Sequence, residues 1–153
     1  MKHIPSVSIL IPLYNAEAYI ADTIERCLNQ SYEDIEIIIV DDHSTDNSLS
    51  VAQQFECNKI NIYENPKKGG NSARNYAFQM SKGEYVKFLD ADDYFSSEML
   101  KKQVERLMKD GTDNSVVFSP VRMLSEDGHW LNPPRSIDFD HEPAIELLLD
   151  IWR

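Results

Sequence analysis

The chain has 153 residues, 26 of them acidic and 15 basic, for a net charge of −11. Such a surface repels nucleic-acid phosphates, which argues against a DNA- or RNA-binding role. The composition, 42% hydrophobic and 27% charged, is that of an ordinary globular protein with one core. The longest apolar run, IIIV at 37–40, falls far short of the ~20 residues that cross a bilayer. The first residues lack the long apolar stretch of a signal peptide. Cys27 and Cys57 have no metal-type spacing, and His3, His43, His129 and His141 form no ligand pattern. A buried Cys27 thiol and a reducing, cytoplasmic setting are expected.

VSILIPL (7–13) is apolar and β-branched and predicts a strand, with Pro12 near its end because a central strand cannot spare an N–H. AEAYIADTIERCLNQ (16–30) carries Tyr19, Ile20, Ile24, Cys27 and Leu28 at helical spacing, with Asn15 as the expected cap. IEIIIV (35–40) predicts a strand covered on both faces, and it ends on Asp41 and Asp42. A helix over 45–55, capped by Ser44, and a strand KINIYE (59–64) follow. After the loop NPKKGG comes a helix over 71–83, capped by Asn71 and stopped by Gly83. EYVKFLD (84–90) is the next strand, and 96–111 the next helix, opened by Ser96 or Ser97. A strand SVVFSP (115–120), a hairpin turning at Asp127-Gly128, and a helix over 142–152 with Pro143 in its first turn complete the chain.

Alternating strands and helices predict an α/β fold with a mostly parallel central sheet flanked by helices. Ligands of such sheets bind beyond the carboxyl ends of the strands. Three of those ends carry unusual residues: PLYN, DDHS and DADD.

Asp90 and Asp92 flank one small residue, so both carboxylates can reach a single hard cation, Mg²⁺ or Mn²⁺. The alternative is a solvated turn, with Asp93 capping the next helix; for Asp93 that alternative is preferred. At VDDHS, Asp41 can accept hydrogen bonds from a base or a ribose, or merely serve turn chemistry; Asp42 and Ser44 are expected to do only the latter. Arg74, in the first turn of its helix, can grip a diphosphate with parallel N–H groups or pair with a surface acid. Tyr14 can stack on a flat base beside backbone groups near Pro12, or be a core residue.

Together these segments resemble family 2 glycosyltransferases of the Rossmann-like GT-A fold. The match runs from VSILIPLYN through IIIVDDHSTDNS and NSARN to GEYVKFLDADD, residues 6–100. The resemblance implies an enzyme of polysaccharide biosynthesis that transfers a sugar, with inversion, from a nucleotide-diphosphate sugar. A UDP-sugar is expected first, and the acceptor is a glycan or a lipid-linked hydroxyl. It implies that Pro12 and Tyr14 line the base pocket, that Asp41 accepts the uracil N–H, and that Arg74 lies by the base and diphosphate. It places the DxD motif on Asp90-Ala91-Asp92, with Asp90 at ribose or metal and Asp92 on the metal, Mn²⁺ or Mg²⁺. The family's catalytic base lies downstream in an acidic motif that has no counterpart here. Glu126, Asp127, Asp138, Asp140, Glu142 and Asp150 are acids without that context. The expectation is therefore one nucleotide-sugar-binding domain over 1–153, the donor portion of a longer enzyme that works in the cytoplasm or at the inner face of the membrane.

Other families fit less well. A phosphorelay receiver has its acid pair after the first strand and a Lys-Pro strand end, both missing here. The haloacid-dehalogenase nucleophile motif ends a first strand and continues to Thr rather than Tyr94. A nicotinamide-binding fold needs G-x-G-x-x-G in its first strand–helix turn. The strongest rival is a nucleotide-sugar-binding domain that catalyses nothing.

Overall fold

The computed structural model describes residues 4–110, 115–117, 123–124 and 130–131. The chain forms two compact units, Met1–Val117 and Phe118–Arg153.

The first unit runs β1 (Val7–Leu13), α1 (Ile20–Leu28), β2 (Ile35–Asp41), α2 (Ser48–Gln53), β3 (Ile60–Glu64), α3 (Gly70–Met80), β4 (Tyr85–Phe88) and α4 (Met99–Asp110). Its four strands form one parallel sheet in the order β3-β2-β1-β4. This is the expected α/β architecture. β1 and β2 are buried along almost their whole length, as runs of Ile, Val and Leu require. Alternate residues serve the two faces. Ile9, Ile11, Leu13, Ile37 and Ile39 pack with Ile20, Ile24 and Cys27 of α1, Ala52 of α2, and Leu100 and Val104 of α4. Leu10, Ile38 and Val40 pack on the other face with Ala73 and Ala77, whose small side chains let α3 lie close to the sheet.

Pro12 sits inside β1, in register with Val40. Leu10 accepts the N–H of Leu89 on the β4 side, and Leu13 accepts that of Asp42 on the β2 side. Alternation puts Pro12 on the β4 side, past Leu10↔Phe88 where that pairing ends, so no ladder donor is missing.

The helix starts differ from expectation. Asn15 does not cap α1; it sits at φ 47° and its Oδ1 accepts the N–H of Thr45. Ser44 does not cap α2, which begins at Ser48; its Oγ accepts the N–H of Asn15. Asn71 lies inside α3, whose N-cap is Gly69. Asp93 closes a turn by donating its N–H to the Asp90 carbonyl, well before α4 begins. α3 stops at Met80 because Ser81 is already extended. Gly83 instead makes a close approach: a Cβ there would lie 2.5 Å from the Ser8 nitrogen. Tyr19 and Leu28 are exposed, and the buried stripe of α1 is Ile20, Thr23, Ile24 and Cys27.

In the second unit, β5 (Met123–Leu124) and β6 (Trp130–Leu131) pair antiparallel, as the expected hairpin requires. Residues 115–117 carry no regular structure. The rest of the expected strand, the hairpin's turn, the helix over 142–152 and the six downstream acids lie outside the described residues. Among the described residues no helix is long and apolar enough to cross a membrane.

Candidate functional site

The carboxyl ends of β1, β2 and β4 open into a cleft of about 250 Å³. Pro12 and Tyr14 line it from the end of β1, Arg74 from the start of the second turn of α3 rather than the expected first, and Asp90 and Asp92 from the loop after β4. Asn15, Ala16, Tyr19, Asp42 and Gly70 complete much of the wall. Five of the six expected site residues thus share one cleft. Asp41 is the exception: it is buried immediately behind the wall, and its neighbour Asp42 faces the cleft instead.

The two acids differ in how they are satisfied. Asp42 Oδ1 accepts from Asn65 Nδ2 at 2.6 Å and from the Gly69 N–H at 2.7 Å, while Oδ2 receives only the same Gly69 N–H at 3.0 Å. Gly69 has φ +131°, a conformation open to glycine and strained for other residues, and it is what turns that N–H toward Asp42. Oδ2 of Asp42 keeps lone-pair capacity for one more donor. Asp41 Oδ2 accepts the Ser44 N–H, but its Oδ1 is buried with no partner among the described residues. An unpaired buried carboxylate oxygen costs about 1–3 kcal/mol, more when charged, so one without a donor calls for an explanation.

The β1–α1 turn is tied to the β2–α2 turn by side chains. Ala16 donates its N–H to Ser48 Oγ at 2.7 Å, Glu17 donates to Asp46 Oδ2, and Asn47 donates to Glu17 Oε2. Bonds from Ser48 hold the Asp46 carboxyl below the usual carboxylate range. Asn15 and His43 both have positive φ in these turns, a local strain concentrated beside the cleft. Tyr14 projects half-exposed, with Lys68 Nζ 5.7 Å from its ring centre.

On the far wall Arg74 pairs with Asp90 at 2.5 Å. With side chains 38% and 52% exposed, the pair contributes at most about 1 kcal/mol. Either partner can be drawn away by a stronger ligand. Asp93 beside them is held above the usual carboxylate range by partial desolvation and by the nearby charges of Asp90 and Asp92. Among the described residues no group of three or more His, Cys, Asp or Glu side chains is placed to hold a metal. Asp90 and Asp92 are both exposed on the cleft, and carboxylates are the donor type by which a hard cation is held when its other oxygens come from phosphate and water.

A family model described as glycosyl transferase family 2 matches residues 8–149. A Bacillus subtilis protein named as a glycosyltransferase of teichuronic acid biosynthesis is 37% identical over 145 residues, covering 89% of this chain and 56% of the relative. The chain thus spans about half the length of that relative. S. aureus TarS 1–349 in complex with UDP-GlcNAc superposes with a TM-score of 0.62 at 30% identity, over 68% of this chain and 31% of TarS 1–349. The mannosyltransferase PcManGT of Pyrobaculum calidifontis, in complex with GDP-Man and Mn²⁺, gives 0.63 at 26% identity, over 69% and 33%.

Proposed function

The chain belongs to glycosyl transferase family 2, and on that premise we propose that it binds the donor of a sugar-transfer reaction. The donor is a nucleotide-diphosphate sugar, with a UDP-sugar foremost, and the sugar passes with inversion to a hydroxyl of a glycan or lipid-linked acceptor. The observation that carries this is the Arg74–Asp90 pair in the cleft that also holds Tyr14 and Asp92. A guanidinium suits a diphosphate, and two exposed carboxylates suit a hard cation. The ligands of TarS and PcManGT, UDP-GlcNAc and GDP-Man with Mn²⁺, support the same donor class and metal.

In this reading Tyr14 and Pro12 flank the base, Arg74 orients the diphosphate, and Asp90 and Asp92 hold Mn²⁺ or Mg²⁺. The cation, when bound, would neutralise charge developing on the leaving diphosphate. The base's ring N–H goes to the Asp41–Asp42 pair. The unpaired Oδ1 supports Asp41; the place of Asp42 in the wall supports a second assignment, direct contact by Asp42 with Asp41 behind it. The cleft of about 250 Å³ is smaller than the ~300–1,000 Å³ of ordinary ligand sites, which suits part of a donor rather than all of it. In this reading the chain over 1–153 is one nucleotide-sugar-binding domain. Two free thiols, Cys27 and Cys57, suit a cytoplasmic setting.

Calorimetric titration with UDP, dTDP, GDP and ADP, each with and without Mn²⁺, tests the reading. Mn²⁺-strengthened binding of a uridine or thymidine diphosphate is expected. Equal weak binding of all four, indifferent to Mn²⁺, would overturn it.

A further inference from the structure

Thr23 lies in the middle of α1, fully buried on the helix's apolar stripe. A mid-helix Thr normally turns its hydroxyl to solvent or to the carbonyl one turn back. Here Thr23 Oγ1 donates instead to the carbonyl of Ala91, at 2.8 Å, in a buried bond spanning 68 positions of sequence. Ala91 is the residue between the two acids. It is buried, while Asp90 and Asp92 on either side of it are exposed and face the cleft.

The geometry around this bond is economical. Leu89 donates its N–H to Leu10 of β1, which sets where the loop leaves the sheet. Asp93 donates its N–H to the Asp90 carbonyl and closes the turn. Phe95 is buried in the core and fixes the loop's exit. Between those anchors the peptide joining Ala91 to Asp92 is held by Thr23. Rotating that peptide would swing the Asp92 side chain relative to Asp90. We propose that Thr23 is a positioning residue for the cation site: its hydroxyl locks the Ala91 carbonyl so that the two flanking carboxylates point together into the cleft. It touches neither nucleotide nor cation, and it rests on the metal-assisted donor site proposed above.

If the loop spends only a fraction of its time aligned, apparent cation affinity falls by that fraction. Losing a bond worth about 1.4 kcal/mol corresponds to about tenfold. Base and diphosphate contacts through Tyr14 and Arg74 do not pass through Ala91.

The experiment is calorimetry of the full chain with UDP, with and without MnCl₂, on the parent, Thr23→Val and Thr23→Ser. Thr23→Val keeps the shape and removes the donor; Thr23→Ser keeps the donor. The ratio of Mn²⁺-loaded to metal-free affinity should fall about tenfold in Thr23→Val, with metal-free binding unchanged, and recover in Thr23→Ser. If thermal melting shows that Thr23→Val does not fold, Thr23→Ala gives the same ratio without adding a methyl to the site. A parent-like ratio in the donor-less variant, or equal losses with and without Mn²⁺, overturns the role of Thr23 alone. A parent that gains nothing from Mn²⁺ overturns the cation site, and Thr23's role with it.

Discussion

The two ends of the sheet are built from similar polar residues and treat them in opposite ways. At the amino end, Glu36 Oε1 accepts the Ser8 hydroxyl at 2.5 Å, the Lys82 N–H at 2.6 Å and the Gly83 N–H at 3.2 Å. Gly83 also donates to Ser8 Oγ at 2.8 Å. This cluster joins the starts of β1, β2 and β4. At the carboxyl end, among the described residues, Asp41 Oδ1 has no donor, Asp42 Oδ2 is half used, Asp90 is held by its half-exposed pair with Arg74, and Asp92 stands in solvent. A carboxylate oxygen that takes three donors at once, as Glu36 Oε1 does, holds the fold together. A carboxylate that faces the cleft with capacity left over is available to a ligand. Residue type does not separate the two; what each carboxylate faces does.

The largest expected effect lies at the closed end. Gly83→Ala would force a Cβ to within 2.5 Å of the Ser8 nitrogen and 2.9 Å of the Val7 carbonyl carbon. It should cost about 3 kcal/mol in denaturant unfolding, with nucleotide affinity of the folded protein unchanged. A parent-like midpoint would mean the amino end is looser than its contacts imply. At the open end the pattern should invert. Asp92→Ala should lower Mn²⁺-dependent UDP affinity about 10- to 100-fold, the size of a lost bond to a charged group, while stability stays within about 0.5 kcal/mol. A loss of stability instead of affinity would make Asp92 another structural acid.

Asp41→Asn and Asp42→Asn sharpen the contrast within one end. The acid that meets the base should cost UDP binding about tenfold and leave Mn²⁺-pyrophosphate binding untouched. Equal losses for the two ligands would assign that acid to the fold. The smallest effect belongs to Asp93. Its carboxyl is raised by partial desolvation and by Asp90 and Asp92. A carboxyl whose folded pKa exceeds its unfolded value, about 4, loses stability as pH rises through that window, and the loss is complete above the folded value. Asp93→Asn should therefore raise the melting midpoint slightly near neutral pH and leave it unchanged below about pH 4. A lower midpoint at neutral pH would show that Asp93 is held by a favourable partner.

The strands were legible because buried runs of Ile, Val and Leu have few other uses, and IEIIIV and VSILIPL form strands at the expected places. The cleft was legible because its acids follow such runs directly. The helix starts were not. Asn15, Ser44 and Asn71 are short polar residues that can bond their own helix or a neighbouring loop, and the choice depends on what lies nearby in space. Thirty positions separate Asn15 from Thr45, whose N–H it takes. For the same reason Asp42 looked like turn chemistry, since Asn65 and Gly69, which orient it, lie 23 and 27 positions away. Thr23 gave no signal, because a Thr on an apolar stripe reads as filler until its carbonyl partner is known.

In the proposed donor site the Arg74–Asp90 pair would make cation and diphosphate interdependent. A cation arriving alone must compete with a guanidinium for Asp90 and leaves Arg74 with an unanswered positive charge. A diphosphate arriving alone takes Arg74 and faces a bare carboxylate. Arriving together, each ligand neutralises the group the other has stranded. On that proposal the pair would act as a two-key lock, in which either ligand should raise the affinity for the other by the same factor, as thermodynamic linkage requires. A closed cycle of four dissociation constants, for Mn²⁺ and UDP each alone and each with the other bound, measures that factor directly, and a value of one would mean the pair opens without regard to either ligand.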